Sequence, residues 1–179
     1  MTFAFNTITK FKQVNLIPNS LIVIDIDDTL IKYDGIDFAW WKNKVNKYYS
    51  VTKNDELSEV LANKDWMKLI EKCDPELVDD CVHYFIEQTK NHQCHIILLT
   101  ARNNVITDLT RNHLNKVDLY FEHIYFNENK GDELVRIVQN NYIDCTDIIV
   151  IDDREANLID IQNKMDLTKY KLHLYKIVS

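Results

Sequence analysis

Asp25, Asp27 and Asp28 follow directly on the apolar run Leu21-Ile22-Val23-Ile24, with Thr29 close behind. Two acids two residues apart leave an extended strand on the same side. Held close together, they do not both ionise easily unless a cation or unlike surroundings separate their roles. With a hard divalent cation, one acid can be ligand and nucleophile while the other, held partly protonated, works as acid and base. Three more stretches repeat the arrangement. His95 to Leu99 leads to Thr100, whose hydroxyl can bond a phosphate oxygen, with Arg102 just beyond. Lys130 precedes Gly131 shortly after Ile124 to Asn127, where an ammonium can neutralise a phosphate and the carboxylates around it. Ile148 to Ile151 ends in Asp152, Asp153 and Arg154.

Each residue also has a plainer reading. Asp28, Thr29, Thr100 and Asp153 are types that cap helices and turns, and a lysine such as Lys130 is usually just solvated. Asp152 is harder to read that way, because a charge at the end of so apolar a run needs a partner.

Such runs, apolar on both faces, suit strands of a parallel sheet covered on each side, and open parallel sheets bind ligands at the C-terminal ends of their strands. The pattern predicts strands over 21–25, 95–99, 123–127, 147–152 and 171–177, alternating with helices over 104–116, 131–141 and 155–165. Residues up to 19 alternate weakly through Phe3, Phe5, Ile8 and Phe11 and fit a short helix or an edge element. Asp74-Pro75-Glu76 reads as a helix start, with Asp74 as N-cap, Pro75 at the first helical position, and a buried stripe through Leu77, Val78, Cys81, Tyr84 and Phe85.

Between the first acids and that start, residues 36–73 read as helices: Phe38, Trp41, Val45 and Tyr48 recur at helical spacing, as do Leu57, Val60, Leu61, Trp66, Met67 and Ile70. So short an insert cannot hold a core alone. It is expected to pack beside the strand ends. The core is then 1–35 with 74–179, and 36–73 is the insert.

The net charge of −7, with 21 basic residues scattered among 28 acids, disfavours a nucleic-acid or anionic-membrane footprint. Cys73, Cys81, Cys94 and Cys145 form no CxxC pair, so reduced thiols are expected. No continuous apolar segment reads as a secretory signal or a membrane span, and the expected location is cytoplasmic and soluble.

Every one of the four signals falls at the C-terminal end of a predicted strand. In that order the chain resembles the haloacid dehalogenase-like (HAD) hydrolase superfamily, in its aspartate-nucleophile phosphatase form. Asp25-Ile26-Asp27-Asp28-Thr29 is similar to the DxDx(T/V) first motif, Thr100 to the second, Lys130 to the third and Asp152-Asp153 to the acidic fourth. The resemblance implies a Rossmannoid α/β core with a five-stranded, mainly parallel sheet in order 5-4-1-2-3, placing the strands of Asp25 and Asp152 side by side. It implies that Asp25 ligates Mg2+ and attacks phosphorus, that Asp27 gives its backbone carbonyl to the metal and its carboxyl to acid–base work, and that Asp152 and Asp153 complete the site. Which of those two touches the metal is left open by their spacing. Thr100 and Lys130 would hold the phosphoryl oxygens.

The insert at 36–73 sits where the family places its first type of cap, and Trp40, Trp41, Tyr48, Tyr49 and Trp66 are candidates to line a pocket or simply to pack. Arg102 and Arg154 are read equally as contacts for a second anionic group or as surface ion pairs, and stay outside the catalytic set. The acid at Asp27 favours phosphomonoester hydrolysis over dehalogenation or transport ATPase chemistry. The expected substrate is a small phosphorylated metabolite. Phosphoprotein or nucleic-acid ends, and a binding protein that keeps the fold without turnover, are the alternatives. The chain departs from the commonest members in having only two glycines, none just before the acid pair, and a short insert.

Overall fold

A computed structural model describes residues 5–178; Phe3 of the N-terminal alternation lies outside them. The strands are β1 (Asn6–Ile8), β2 (Leu21–Ile24), β3 (Ile31–Lys32), β4 (Glu76–Leu77), β5 (His95–Thr100), β6 (Ile124–Phe126), β7 (Asp147–Asp152) and β8 (Lys171–Ile177). The helices are α1 (Phe38–Thr52), α2 (Asp55–Ile70), α3 (Val82–Asn91), α4 (Thr107–Lys116), α5 (Lys130–Asn141) and α6 (Glu155–Lys164).

The central sheet runs β1-β8-β7-β2-β5-β6, and every pairing in it is parallel. It has six strands where five were expected. The expected order, 5-4-1-2-3, is read along β8-β7-β2-β5-β6, and β1 is added outside β8. Of the weak alternation at the N-terminus, Ile8 lies in this edge strand, too short to declare itself by periodicity, and Phe11 in a short 3-10 helix, Phe11–Gln13.

Side chains along a strand point alternately to opposite faces, and the apolar runs sort accordingly. Ile22, Ile24, Leu98, Ile149 and Ile151 join Val82 and Phe85 of α3 and Leu114 of α4. Leu21, Val23, Ile97, Leu99, Ile148 and Val150 join Leu134, Ile137 and Val138 of α5 and Leu158 and Ile161 of α6. Each such side chain taken from water stabilises the fold by about 1.5–3 kcal/mol. β2 lies between β5 and β7 with all four residues buried, so the strand that delivers Asp25 is held on both sides.

The expected helix start at Asp74 is not found. Glu76 and Leu77 instead form β4, antiparallel to β3 with Leu77 opposite Ile31. The insert leaves through β3 and returns through β4, and this ribbon clips its two ends together; the backbone pairing it supplies outweighs the cap-like Asp-Pro pattern. The helix begins at Val82. Asp79 marks its approach, one carboxylate oxygen accepting from Cys81 N and the other from Phe11 N. Val82, Phe85 and Thr89 are buried along it, whereas Tyr84, expected in the stripe, is exposed.

Between the ribbon strands, α1 and α2 form a hairpin. Asp37 caps α1 through Trp40 N at 2.7 Å, and Asn54 caps α2 through Leu57 N at 2.9 Å. No residue of α1 is fully buried, and polar links tie the pair: Trp41 Nε1 donates to Asn63, and Tyr48 and Lys44 both donate to Asp65. All four cysteines are free. Among the described residues no helix is long and apolar enough to cross a membrane.

Candidate active site

β2, β5 and β7 run parallel and in register, with Ile24 opposite both Leu98 and Ile151, so the residues that follow them emerge at one edge of the sheet. Lys130 comes from the first turn of α5. Its ammonium lies 2.6 Å from a carboxylate oxygen of Asp25 and 2.6 Å from one of Asp152. All three groups are buried. Asp153 completes the cluster: Asp25, Asp152 and Asp153 each offer a carboxylate oxygen within 4.8 Å of the others.

Three carboxyls against one ammonium give a cluster that is net negative only when all three acids ionise, and their surroundings resist that. Burial, first, pushes the Asp25 carboxyl upward, and Asp152 and Asp27 add to that against the pull of Lys130. Asp153 is raised as well, by burial and then by the charges of Asp25 and Asp152. Burial alone would lower Lys130, but Asp152 and Asp25 outweigh it and hold the ammonium charged. A buried excess of hard oxygen donors fits a small divalent cation such as Mg2+.

The two acids where β7 ends, Asp152 and Asp153, are not equivalent. Asp152 accepts from Lys130 Nζ, from Arg154 N at 2.8 Å, and from Asn157 Nδ2 at 2.9 and 3.0 Å on its two oxygens. Asp153 has a single long approach, 3.5 Å from Thr29 Oγ1. Its lone pairs are the freer, which makes Asp153 the better direct ligand and Asp152 the anchor of Lys130. Thr29 fixes the junction between strands by accepting from Asp153 N at 3.0 Å.

Asp27 is placed differently. Arg102 grips it through two hydrogen bonds, Nε to one oxygen at 2.8 Å and a terminal nitrogen to the other at 2.7 Å. Arg102 is itself buried and donates further to Tyr33 Oη at 2.8 Å and Thr110 Oγ1 at 3.1 Å. Tyr33 Oη lies 2.6 Å from His113 Nδ1, and His113 Nε2 is buried without a partner among the described residues. The carboxylate of Asp27 thus stands outside the acid cluster, fixed by a bidentate ion pair. Thr100 is buried, and its Oγ1 accepts from Arg102 N at 3.2 Å.

A cavity of about 430 Å3 opens at the site. Asp25, Asp27, Thr100, Lys130 and Asp153 all reach it, and the hairpin supplies Phe38, Trp41, Glu59, Asn63 and Trp66 as its wall. Of the aromatic residues proposed for a pocket, Trp41 and Trp66 line it. Trp40 packs against the core beneath Lys44, Tyr48 is tied to Asp65, and Tyr49 points to solvent.

Tyr33 and Asn157 were not singled out from the sequence, and Arg102, read there as a contact for a second anionic group or a surface ion pair, is instead the buried partner of Asp27. For Arg102 the available signal was its position two residues beyond Thr100 at the end of a buried strand. For Asn157 it was an amide in the first turn of the helix that follows the acid pair. Tyr33 gave no signal beyond its turn.

Fold and site together define an α/β protein whose parallel sheet carries a buried acid–lysine cluster beneath a helical hairpin. Residues 4–128 match the family described as protein of unknown function (DUF2608), and the chain belongs to that family. The match takes in Asp25, Asp27, the hairpin, Thr100 and Arg102 and ends just before Lys130. No curated protein matches the chain.

Proposed function

We propose that the chain is a phosphomonoester hydrolase of the HAD type, acting on a small phosphorylated substrate through Asp25. One observation supports this above the others: Asp25, Lys130 and the Asp152-Asp153 pair, drawn from distant parts of the sequence, form one cluster, of which Asp25, Lys130 and Asp153 reach the same cavity as Thr100.

In this reading an Asp25 oxygen attacks phosphorus and the bond to the departing oxygen breaks. The two displacements that result are each easier than direct hydrolysis. Asp27 protonates the leaving alkoxide, then takes the proton of the water that attacks the aspartyl phosphate, which returns Asp25 and frees phosphate. Lys130 and the Thr100 hydroxyl bind phosphoryl oxygens; Thr100 Oγ1 accepts from Arg102 N, which aligns its own O–H for donation. Asp25, Asp153 and the Asp27 main-chain carbonyl would hold Mg2+. Bound there, the ion would offset charge on the oxygens of the transferring group. Asp27 must carry the proton when it meets the leaving oxygen, so in this reading one of its oxygens parts from Arg102 as substrate binds while the other stays held in position.

The test is release of phosphate from a panel of aryl, sugar, nucleotide and acid phosphates, with phosphopeptides and 5′-phosphorylated oligonucleotides alongside, with and without Mg2+. Small esters should be turned over with Mg2+, and Asp25→Asn and Asp27→Asn should abolish turnover while keeping the native fold at some cost in stability. Full activity in purified Asp25→Asn would falsify the assignment of the nucleophile. No release from any ester would favour a binding protein.

A further inference from the structure

We propose that Arg154 selects the substrate, and that the substrate is a phosphomonoester whose leaving group carries a second anionic group, a carboxylate or a further phosphate. The proposal rests on the phosphatase reading of the same site.

Three cationic side chains line the cavity among the described residues: Arg102, Lys130 and Arg154. Two are engaged. Lys130 bridges Asp25 and Asp152, and Arg102 spends its donors on Asp27, Tyr33 and Thr110. Arg154 differs. Its main-chain N–H is bonded to Asp152, but no carboxylate or carbonyl among the described residues accepts from its guanidinium. The guanidinium lies over the ring of Phe38, 4.3 Å from the centroid.

That placement is informative because acids are plentiful nearby. Asp28 and Asp37 also line the cavity, but their carboxylates accept from Phe38 N and Trp40 N, the first amides of α1. A guanidinium stacked on a ring uses its face and leaves the N–H groups in its plane free, in the forked geometry that matches carboxylate or phosphate. Phe38 is itself braced by Trp41, with ring centroids 5.7 Å apart and planes 17° from parallel. Arg154 over Phe38, and Phe38 against Trp41, place an unspent cation in the lining shared by the acid cluster and the hairpin. A leaving group attached to a phosphoryl on Asp25 extends toward the hairpin wall, where that fork can take an anion.

A matched pair of esters tests this. 3-Phosphoglycerate and glycerol 3-phosphate share a carbon skeleton and differ in a carboxylate against a neutral hydroxymethyl; ethanolamine phosphate adds a cationic member. The wild type should favour 3-phosphoglycerate over glycerol 3-phosphate in kcat/KM by about tenfold or more, the size expected of charge-assisted hydrogen bonds. Arg154→Gln should bring that ratio near one, and Phe38→Leu should lower it by loosening the stack. A ratio unchanged in Arg154→Gln, or a preference for ethanolamine phosphate, overturns the proposal. If no ester is turned over, the phosphatase reading fails by itself, and the same comparison is made by calorimetric binding. There the wild type should hold 3-phosphoglycerate more tightly than glycerol 3-phosphate, and Arg154→Gln should lose the difference; equal affinities in the wild type overturn the proposal.

Discussion

Asp27 and Arg102 meet through two hydrogen bonds of 2.7 and 2.8 Å, with the arginine side chain buried and the carboxylate still partly open to the cavity. The pair joins the strand end that carries Asp25 to the one that carries Thr100. Arg102→Ala strands Asp27 and also removes a donor from Tyr33 and from Thr110. It should cost about 3 kcal/mol, the lower end for a broken buried pair because Asp27 keeps some water. Adding Asp27→Asn to Arg102→Ala should cost less than the sum of the single changes, by about 1 kcal/mol. Urea unfolding of the four proteins measures this coupling, and additive costs would mean that Asp27 is not held by Arg102 in solution.

The unequal bonding of Asp152 and Asp153 predicts unequal effects on a bound cation. Mg2+ at a hundredfold excess over its Kd should stabilise the wild type by about 2.7 kcal/mol, read as a rise in Tm. Asp153→Asn should lose most of that rise while keeping the metal-free stability, because Asp153 makes few bonds of its own. Asp152→Asn should lower stability without metal, since Lys130, Arg154 N and Asn157 all lose their carboxylate. The reverse pattern would make Asp152 the direct ligand.

His113 gives the acid limb a component of known sign. Burial, with Arg102 and Lys116 adding to it, lowers its pKa from 6.5 to about 4. Between those values the unfolded chain binds more protons, so this group's contribution to stability falls as the pH falls from about 6.5 to about 4. The raised carboxyls of Asp25, Asp28 and Asp153 act in the opposite sense, favouring the folded state as they protonate. The difference between wild type and His113→Asn therefore isolates the histidine. Asparagine can still accept from Tyr33, and the variant should lose less stability than the wild type between pH 6.5 and 4. Parallel curves in chemical denaturation would show that His113 is not held neutral.

Much of this arrangement was legible in the sequence. The run at Asp147–Asp152 coincides with β7, because a strand buried on both faces is apolar along its length and a charge marks where it ends, and Lys171–Ile177 coincides with β8, where Leu172 and Leu174 alternate with Lys171 and His173 on a strand only partly buried. The register of β2 with β5 and β7 then brings their terminal residues together without further information. Less was legible where partners are distant. Asp74-Pro75 imitates a helix start, but pairing between Ile31 and Leu77 decides that segment. Arg102 looks like any surface arginine until residues 27, 33 and 110 converge on it. Local pattern records what a segment buries; it does not record which remote group a charge will meet.

Gly131 is the remaining case, one of two glycines in the chain, and its neighbours explain it. A Cβ there would lie 2.7 Å from Asp160 Oδ2, 2.8 Å from the Asp160 carbonyl oxygen and 2.8 Å from Lys164 Cγ. The two side chains can turn away, but the carbonyl belongs to α6 and moves only if the helix does. Asp160 also accepts from Gly131 N at 2.8 Å, so the close approach of α5 to α6 and the start of α5 are set by one contact. Gly131→Ala gains up to about 1 kcal/mol of helix propensity and loses about 1–3 kcal/mol to overpacking, for a net destabilisation. The displacement falls next to Lys130, whose ammonium must stay within reach of both Asp25 and Asp152. Phosphate release, where found, should therefore fall further in Gly131→Ala than its stability loss explains. Gly35→Ala is the control: Gly35 has φ +67 with nothing within 4 Å of its Cβ position, so its cost is backbone strain of about 1 kcal/mol, with no reason for Lys130 to move. Equal activity losses in the two variants at matched stability would show that the α5–α6 contact does not position Lys130.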